Sequence, residues 1–362
     1  MKTLTFALAL GLITLGFQSR AHAWGDLGHE VVGDIAEQLI EPQTKSYVRG
    51  ILGVEPFVAA ATWPDHVRDD DRFGHTDYDP VKHDHDDHDF APFHICEIPT
   101  GYTFENNPMQ TAKNCYGATV HSVEILKNAS ASREEKMIAL RYLIHVMGDI
   151  HQPLHVGNGY DRGANSCQVK WQEKPDGNPI SMNLHSFYDG AIVQFVGKTY
   201  ADIEKKIPAA QYSGQFSQNL KRRYPQLFSA DNKAKSAKID VPAWLMESQA
   251  IRETLYPDAP GSMANVPKGE EYKNRPYCLW YANQKTDKVP ANTIDKDKIP
   301  TLDADYANRF VPVIETQLIK AGVRLAVMLD DIASSQAPGG PAIDDARQEQ
   351  ILKSVQDALR NK

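Results

Sequence analysis

Apolar residues recur along the chain mainly at intervals of three and four positions, which is the spacing of one face of an α-helix. The clearest runs are Val31, Ile35 and Leu39; Val120, Ile125 and Leu126; Ile138, Tyr142, Leu143 and Val146; and Ile314, Leu318, Val323, Leu325 and Leu329. Long alternations of apolar and polar residues are scarce. The pattern therefore predicts an all-α, mainly helical fold.

One segment departs from the helical pattern, between Cys167 and Met182. Polar and apolar residues alternate over residues 168–171, and Asp176-Gly177 is a turn signal. We therefore expect at most one short β-hairpin, in this segment.

The two ends of the chain differ from its body. Residues 1–23 resemble a secretory signal peptide, with an apolar run over residues 4–17 and a small-x-small cleavage motif at residues 21–23. Residues 24–334 form the predicted globular domain, and residues 335–362 combine a linker rich in proline and glycine with a polar helix. No segment has the roughly 20 consecutive apolar residues of a membrane span. We expect a secreted or periplasmic protein.

Charge and cysteine content narrow the chemistry. Removal of residues 1–23 takes away Lys2 and Arg20 but no acid, which shifts the formal net charge from −8 to −10. Such a chain matches nucleic acid poorly unless bound metal ions supply local positive charge. In an oxidising compartment, four cysteines allow three disulfide pairings, and the sequence does not choose between them. These cysteines are Cys96, Cys115, Cys167 and Cys278.

Histidine and aspartate recur at the spacing of one helix face. His145 and Asp149 are four residues apart, and so are His185 and Asp189. This spacing brings both side chains of a pair to the same side of a helix, and both residue types bind zinc. A proline at position 153 should end the first helix, so that His155 can face the same cavity from a new direction.

Three further features allow two interpretations each. His151 lies on another helix face than Asp149, and we expect it to be structural or to support a ligand. Trp24 is either a core aromatic residue or, after cleavage, a ligand through its carbonyl and its α-amino group, whose ordinary pKa is about 7.7. The alternating run His83 to Asp89 could collect metal, but an exposed loop is the simpler interpretation.

Five motifs, in this order, are similar to those of the zinc-dependent single-strand nuclease and 3′-nucleotidase family typified by mung bean nuclease. They are WGDLGH at 24–29, ATWPDHVR at 61–68, PFHI at 92–95, HVMGDIHQPLH at 145–155 and NLHSFYD at 183–189. The resemblance continues more faintly to the apolar helix near Leu329. It implies a mainly helical fold with three zinc ions.

By this resemblance, nine residues bind the three ions. One ion would be bound by Asp65, His94, His145 and Asp149; a second by the main chain of Trp24, His29 and the shared Asp149; and a third by His155, His185 and Asp189. Three dications outweigh the three carboxylates of this set, so the cavity would be positive inside an acidic protein.

The resemblance also implies the reaction. The expected activities are hydrolysis of single-stranded DNA and RNA to 5′-phosphorylated products and removal of 3′-phosphate from nucleotides, without a stable protein partner. Asp65 would orient the attacking water, and Arg68 would stabilise negative charge in the transition state. Alternatively, Arg68 forms a surface ion pair with Asp69 or Asp70.

Substrate contacts are expected at Ile95, Glu97 and Asn165, where the chain departs from the family pattern. The family has Phe and Asp at the first two positions, Gly at Ala164 and Trp at Tyr188. Isoleucine cannot stack on a base as an aromatic ring does, whereas glutamate keeps a hydrogen-bond acceptor. Base preference can therefore differ from that of the family.

Two other functions remain open. A zinc phospholipase C resembles this pattern, but its third site has Glu in place of Asp189, and the run Asn183-Leu184-His185 is typical of the nucleases. A non-catalytic exported metal-binding protein could use residues 83–89. We favour a nuclease over this last alternative because the shared Asp149 would leave coordination positions open for water.

Overall fold

The computed structural model describes residues 24–67, 91–111, 113–199, 211–257, 275–279 and 293–336. Its α-helices are α1 (Gly25–Leu39), α2 (Pro42–Leu52), α3 (Phe57–Val67), α4 (Cys115–Lys127), α5 (Arg133–His151), α6 (Leu184–Ser186, a single turn), α7 (Ile192–Thr199), α8 (Tyr212–Arg223), α9 (Ala230–Lys235), α10 (Val241–Arg252) and α11 (Ala304–Ser334). Short 3-10 segments occur at Ala91–His94, Pro153–His155, Pro225–Phe228, Glu253–Leu255 and Lys296–Lys298, and a π-helical turn occupies Phe187–Ala191. The prediction of a mainly helical fold is confirmed.

The strands form two small sheets. β1 (Cys96–Glu97) runs parallel to β2 (Val156–Gly157). In the other sheet, β3 (Gln168–Gln172) pairs antiparallel with β4 (Ile180–Asn183) and parallel with β5 (Thr301–Asp303). The β3–β4 pair is the predicted hairpin. The strands β1, β2 and β5 have two or three residues each, too few to give an alternating pattern in the sequence.

Helix α5 lies at the centre of the fold. It begins with a capping box, in which Ser132 accepts from the Glu135 amide and the Glu135 carboxylate accepts from the Ser132 amide. Every residue from Leu143 to His151 is buried, because α5 packs against α1, α3, α4, α10 and α11. The helix ends at His151, two residues before Pro153, as the proline predicts.

Two disulfides connect the small sheets to other elements. Cys96–Cys115 joins β1 to the start of α4, and Cys167–Cys278 joins the start of β3 to residues 275–279. The structure thus selects one of the three pairings that the sequence left open. No helix in the described part of the chain is both long enough and apolar enough to cross a membrane.

Several predicted features lie outside the described residues. These are the signal peptide at 1–23, Arg68, the His/Asp run at 83–89 and residues 337–362 of the C-terminal tail.

Candidate metal centre

Histidine and aspartate side chains from all five sequence motifs meet in the interior of the protein. They form three groups, in each of which the potential ligand atoms lie within 4.8 Å of one another. We call them the His29 group (His29, His145, Asp149), the Asp65 group (Asp65, His94, His145) and the His185 group (His155, His185, Asp189). All of these side chains are buried. Eight of the nine predicted ligand residues are thus brought together, and the ninth, Trp24, is also buried.

The His29 and Asp65 groups, here called the paired groups, share residues and lie side by side. Asp149 connects them, because its Oδ1 lies 3.4 Å from His29 Nε2 and its Oδ2 lies 3.2 Å from His94 Nδ1. Asp65 Oδ1 is 3.7 Å from His145 Nε2 and 3.8 Å from His94 Nδ1. Five side chains therefore present nitrogen and oxygen atoms to one small volume.

Helix α1 approaches α5 closely at this point. Gly148 allows the approach, because an added Cβ there would lie 2.7 Å from His29 Nδ1. The Trp24 indole Nε1 donates to the Gly148 carbonyl at 2.8 Å, at the residue next to Asp149. His29 and His145 stack with ring centroids 3.8 Å apart. Trp24, the first residue of the predicted domain, is thus held by this hydrogen bond beside the paired groups.

The His185 group uses irregular backbone. His185 lies in α6 and Asp189 in the π-helical turn that follows, yet His185 Nε2 and Asp189 Oδ2 are only 3.0 Å apart. Single π-helical turns are rare and occur often at functional sites. His155, in the 3-10 segment after α5, lies 3.8 Å from Asp189 through Nε2 and 3.8 Å from Asp149 through Nδ1. His155 therefore lies between the His185 group and the paired groups.

Main-chain carbonyl groups orient the imidazole rings. The Nδ1 atoms lie 2.6 to 2.7 Å from carbonyl oxygens in three cases, which are His145 with Ala61, His155 with His94 and His185 with Gly163. A carbonyl oxygen only accepts, so each Nδ1 carries a proton, and Nε2 is the ring atom that can offer a lone pair to a metal ion. This tautomer is the one that binds a metal ion through Nε2.

His151 does not belong to these groups, in agreement with its expected structural role. Its Nδ1 lies 2.7 Å from the Met147 carbonyl and its Nε2 lies 2.9 Å from the Arg324 guanidinium. Burial and the neighbouring Arg324 lower the pKa of His151 to about 3. It is therefore a neutral acceptor that joins α5 to α11.

Burial and mutual electrostatics set the protonation of the site. Burial alone would raise the pKa of Asp149, but His145 and the other imidazoles hold it well below its ordinary range. Burial and the nearby His29 lower the pKa of His145 to about 3, and burial lowers the pKa of His155. Burial would also lower the pKa of His29, but Asp149 raises it more. Burial would likewise lower the pKa of His185, but Asp189 raises it more. Asp149, His145 and His155 are therefore already in the state that binds divalent metal, whereas His29 and His185 favour a proton that a bound ion would displace.

Several buried atoms of the site have no hydrogen-bond partner among the described residues. They include both carboxylate oxygens of Asp149, Nδ1 of His29 and Nε2 of His155. Burying a carboxylate without compensation is strongly unfavourable, so such atoms require a further partner. Imidazole nitrogen and carboxylate oxygen are the donor types that zinc takes. The donor set therefore fits divalent metal ions, and zinc in particular.

The predicted substrate-contact residues lie close to this centre but have internal partners. Ile95 follows His94 and is partly buried. The Glu97 carboxylate accepts from the Gly159 amide at 2.6 Å, and burial raises its pKa to about 7, against the opposing effect of that hydrogen bond. The Asn165 Nδ2 donates to the Arg162 carbonyl at 2.9 Å.

Two supporting residues were not predicted. Gln152 Nε2 donates to Asp189 Oδ1 at 2.6 Å and thereby orients that carboxylate. The sequence offered one signal for this supporting role, the position of Gln152 between His151 and Pro153 in the motif that ends at His155. Asp161 is the other, and it lies with Cys167 and Cys278 in a fourth group of potential ligands. Both cysteines of that group form the disulfide, so it offers no thiolate.

Known proteins resemble this chain over most of its length. The S1/P1 nuclease family model matches residues 24–334. Endonuclease 4 of Arabidopsis thaliana is 26% identical over 331 residues, which cover 87% of this chain and 91% of the relative. Nuclease S1 of Aspergillus oryzae is 26% identical over 350 residues, which cover 90% of this chain and 98% of the relative. The chain belongs to the S1/P1 nuclease family.

Proposed function

We propose that this chain is an exported nuclease with three zinc ions, which hydrolyses single-stranded DNA and RNA to 5′-phosphorylated products and removes 3′-phosphate from nucleotides. As a family member it is a hydrolase that acts on phosphodiester bonds. The observation that carries the finer proposal is the convergence of three buried His/Asp groups with atoms that have no hydrogen-bond partner among the described residues. Their combined preference for dications explains how an acidic chain binds a polyanion.

We base the assignment of ligands to the three proposed zinc ions on the three groups. We assign Asp65, His94, His145 and Asp149 to one zinc, and His29 with Asp149 to a second. The main-chain amine and carbonyl of Trp24 complete the second set once residues 1–23 are removed. In support, the Trp24 indole is hydrogen-bonded to the residue next to Asp149. His155, His185 and Asp189 would hold the third zinc.

The residues of the site have separate roles in the reaction. When bound, zinc acts as a Lewis acid that activates water and stabilises negative charge on phosphate oxygens. Asp149 holds the paired groups together, and Asp65 holds the attacking water in line with the phosphorus. We assign the departing 3′-oxygen to the side of the cavity formed by the His185 group. Arg68 stabilises charge on the phosphate in the transition state, and no serine or cysteine nucleophile is required.

Substrate binding is assigned to Ile95, Glu97 and Asn165. Ile95 offers an apolar surface without an aromatic ring, so stacking on the base is weaker than on phenylalanine. Glu97 offers a carboxyl group to the base edge. We expect base preference, rather than the cleavage chemistry, to distinguish this chain from relatives.

One experiment tests the proposal. The processed protein is incubated with single-stranded DNA and with a 3′-nucleotide, with and without a chelator, and bound zinc is counted on the same sample. We expect three zinc ions per chain and cleavage that the chelator abolishes and added zinc restores. Cleavage that survives a strong chelator would refute the mechanism, and absence of zinc would refute the ligand assignment. Zinc with cleavage of phosphatidylcholine in place of nucleic acid would favour a phospholipase.

A further inference from the structure

The loop between β2 and β3 contains an unusual run of left-handed backbone. The angle φ is 58° at Arg162, 61° at Gly163 and 66° at Ala164. Glycine adopts this conformation readily, but the Cβ atoms of Arg162 and Ala164 make it unfavourable. Gly163 has a second constraint, because an added Cβ would lie 2.6 Å from the Leu154 carbonyl oxygen. Strained backbone persists only when surrounding contacts hold it, and it is concentrated at functional sites.

The turn has a direct contact with the metal centre. The Gly163 carbonyl, in the middle of the turn, lies 2.6 Å from Nδ1 of His185. It therefore fixes the ring orientation of His185 and keeps the proton on Nδ1. The other ring nitrogen, Nε2, lies 3.0 Å from Asp189 Oδ2. If the turn relaxed, the carbonyl would move and this histidine would lose its orientation.

The Asp161 side chain stabilises the turn at residues 162–164 through hydrogen bonds. It is completely buried, its Oδ1 accepts from the Ala164 amide at 2.8 Å, and its own carbonyl accepts from the Ser166 amide at 3.1 Å. Its Oδ2 accepts from the Tyr256 hydroxyl at 2.5 Å. Hydrogen bonds from both sides thus fix the carboxylate that closes the turn.

Tyr256 is itself held in place. Its ring is fully buried, and the guanidinium of Arg275 lies over it at 3.3 Å from the ring centre. Arg275 in turn donates to Glu253 at 2.9 Å. A chain of contacts therefore runs from the partly exposed Glu253 through the buried residues Arg275, Tyr256 and Asp161 to the turn, and ends at His185.

We propose that Asp161 and Tyr256 are positioning residues of the His185 group, which hold the turn at residues 162–164 and thereby set the ring of His185 for metal binding. The inference rests on the proposed function, because it takes the His185 group to be the third zinc site. It adds two residues that contact neither metal nor substrate and act through a main-chain carbonyl. A purely structural role for the two residues would affect folding but not one zinc site selectively.

The test compares two tyrosine substitutions in the processed full-length chain. Tyr256→Phe keeps the ring and removes the hydroxyl that Asp161 accepts from. The matched control is Tyr47→Phe, because the Tyr47 hydroxyl donates to the Leu126 carbonyl at 2.8 Å, between α2 and α4. Zinc affinity is measured by competition with a chelator, and a His185→Ala variant identifies which binding step belongs to the His185 group. Thermal unfolding is followed on the same samples.

We expect Tyr256→Phe to weaken the His185 site about 10-fold, as for other residues that orient metal ligands, and to leave the other two zinc affinities within about twofold. Tyr47→Phe should lower thermal stability without changing any zinc affinity. Asp161→Asn should act like Tyr256→Phe. Ala164→Gly in the Tyr256→Phe background should restore part of the affinity, because glycine adopts the left-handed angle without a Cβ penalty.

Two results would overturn the inference while the proposed function stands. One is a parent protein with three zinc ions whose His185 site is unchanged by Tyr256→Phe and Asp161→Asn. The other is an equal loss of affinity in Tyr47→Phe, which would indicate a general effect of stability. A parent protein that binds no zinc at the His185 group would overturn both this inference and the ligand assignment on which it rests.

Discussion

The two parts of the metal centre are built on different kinds of backbone. Most ligands of the paired groups project from the helices α1, α3 and α5, whose positions are fixed by extensive packing. The His185 group takes its ligands from a 3-10 segment, the short helix α6 and a π-helical turn. Helix packing therefore holds the paired groups, whereas individual hydrogen bonds hold the His185 group. We expect the latter to be the more sensitive to substitutions outside its ligands.

The largest effect should follow from Asp149→Asn. Asp149 lies between the paired groups, so the loss of its charge would weaken a ligand that the two proposed zinc sites share. We expect bound zinc to fall from three ions to one. A bound metal stabilises charge in the transition state by several kcal/mol, so kcat/KM on single-stranded DNA should fall by about 10³-fold or more.

The control for this variant is Asp331→Asn, which makes the same change at an exposed position at the end of α11. It should leave zinc content and cleavage unchanged. Three zinc ions in Asp149→Asn would contradict the shared role of this carboxylate, and with it the close coupling of the paired groups.

Asp189→Asn should affect only one ion. Asp189 contacts His155 and His185 but belongs to neither of the paired groups. We expect two zinc ions to remain and kcat/KM to fall by about 10²-fold, because the departing oxygen would lose the stabilisation proposed for this site. Zinc content measured beside kcat/KM distinguishes this result from that of Asp149→Asn. A loss of all three ions would mean that the two parts of the centre do not bind metal separately.

Gln152→Ala tests the claim that single hydrogen bonds hold the His185 group. The side chain is completely buried and donates to Asp189 Oδ1 at 2.6 Å. Its loss should weaken the zinc affinity of the His185 group by about 10-fold to 100-fold and leave the paired groups unaffected. The matched control is Gln38→Ala, since Gln38 donates to the Asp34 carboxylate at 2.7 Å, remote from the ligands. Equal weakening at all sites would remove the distinction between the two parts.

The same difference in backbone explains what the sequence could predict. The periodic apolar residues correctly predict α1, α4, α5 and α11, and the spacing of His145 and Asp149 places both on one face of α5. Pro153 correctly predicts the end of α5. These predictions depend only on neighbouring residues and on the geometry of a regular helix.

Other features depend on contacts that no local pattern contains. The backbone is left-handed at Ala164, but no glycine at that position signals this in the sequence. Asp161 and Tyr256 form their hydrogen bond across 95 positions of the chain. The π-helical turn between His185 and Asp189 is hidden because their spacing is also that of an ordinary helix. The disulfide pairing likewise follows from the tertiary fold. The residues of the His185 group could therefore be recognised from their motifs, but the backbone geometry that brings them together could not be predicted from the sequence.

The smallest effect concerns Glu97, which connects β1 to the loop that leads to the His185 group. Its carboxylate end is buried against Gly157 and Gly159, and burial raises its pKa from 4.5 to about 7. Between these values the folded protein binds more protons than the unfolded chain, so stability falls as the pH rises. The cost of ionising Glu97 is fully present above pH 7 and amounts to about 3 kcal/mol at most.

Glu97→Gln removes this cost and keeps an oxygen to accept from the Gly159 amide. The variant should therefore be more stable than the parent by about 1 to 3 kcal/mol at pH 8 and nearly equal to it at pH 4.5. Chemical denaturation of both proteins measures the difference, and a chelator removes any contribution from bound metal. Titration of the other site residues is common to both proteins and cancels in the difference. Glu124→Gln, at an exposed position, should show no such dependence. A variant that is less stable at pH 8 would mean that the ionised carboxylate, rather than the protonated one, is favoured beside the loop of the His185 group.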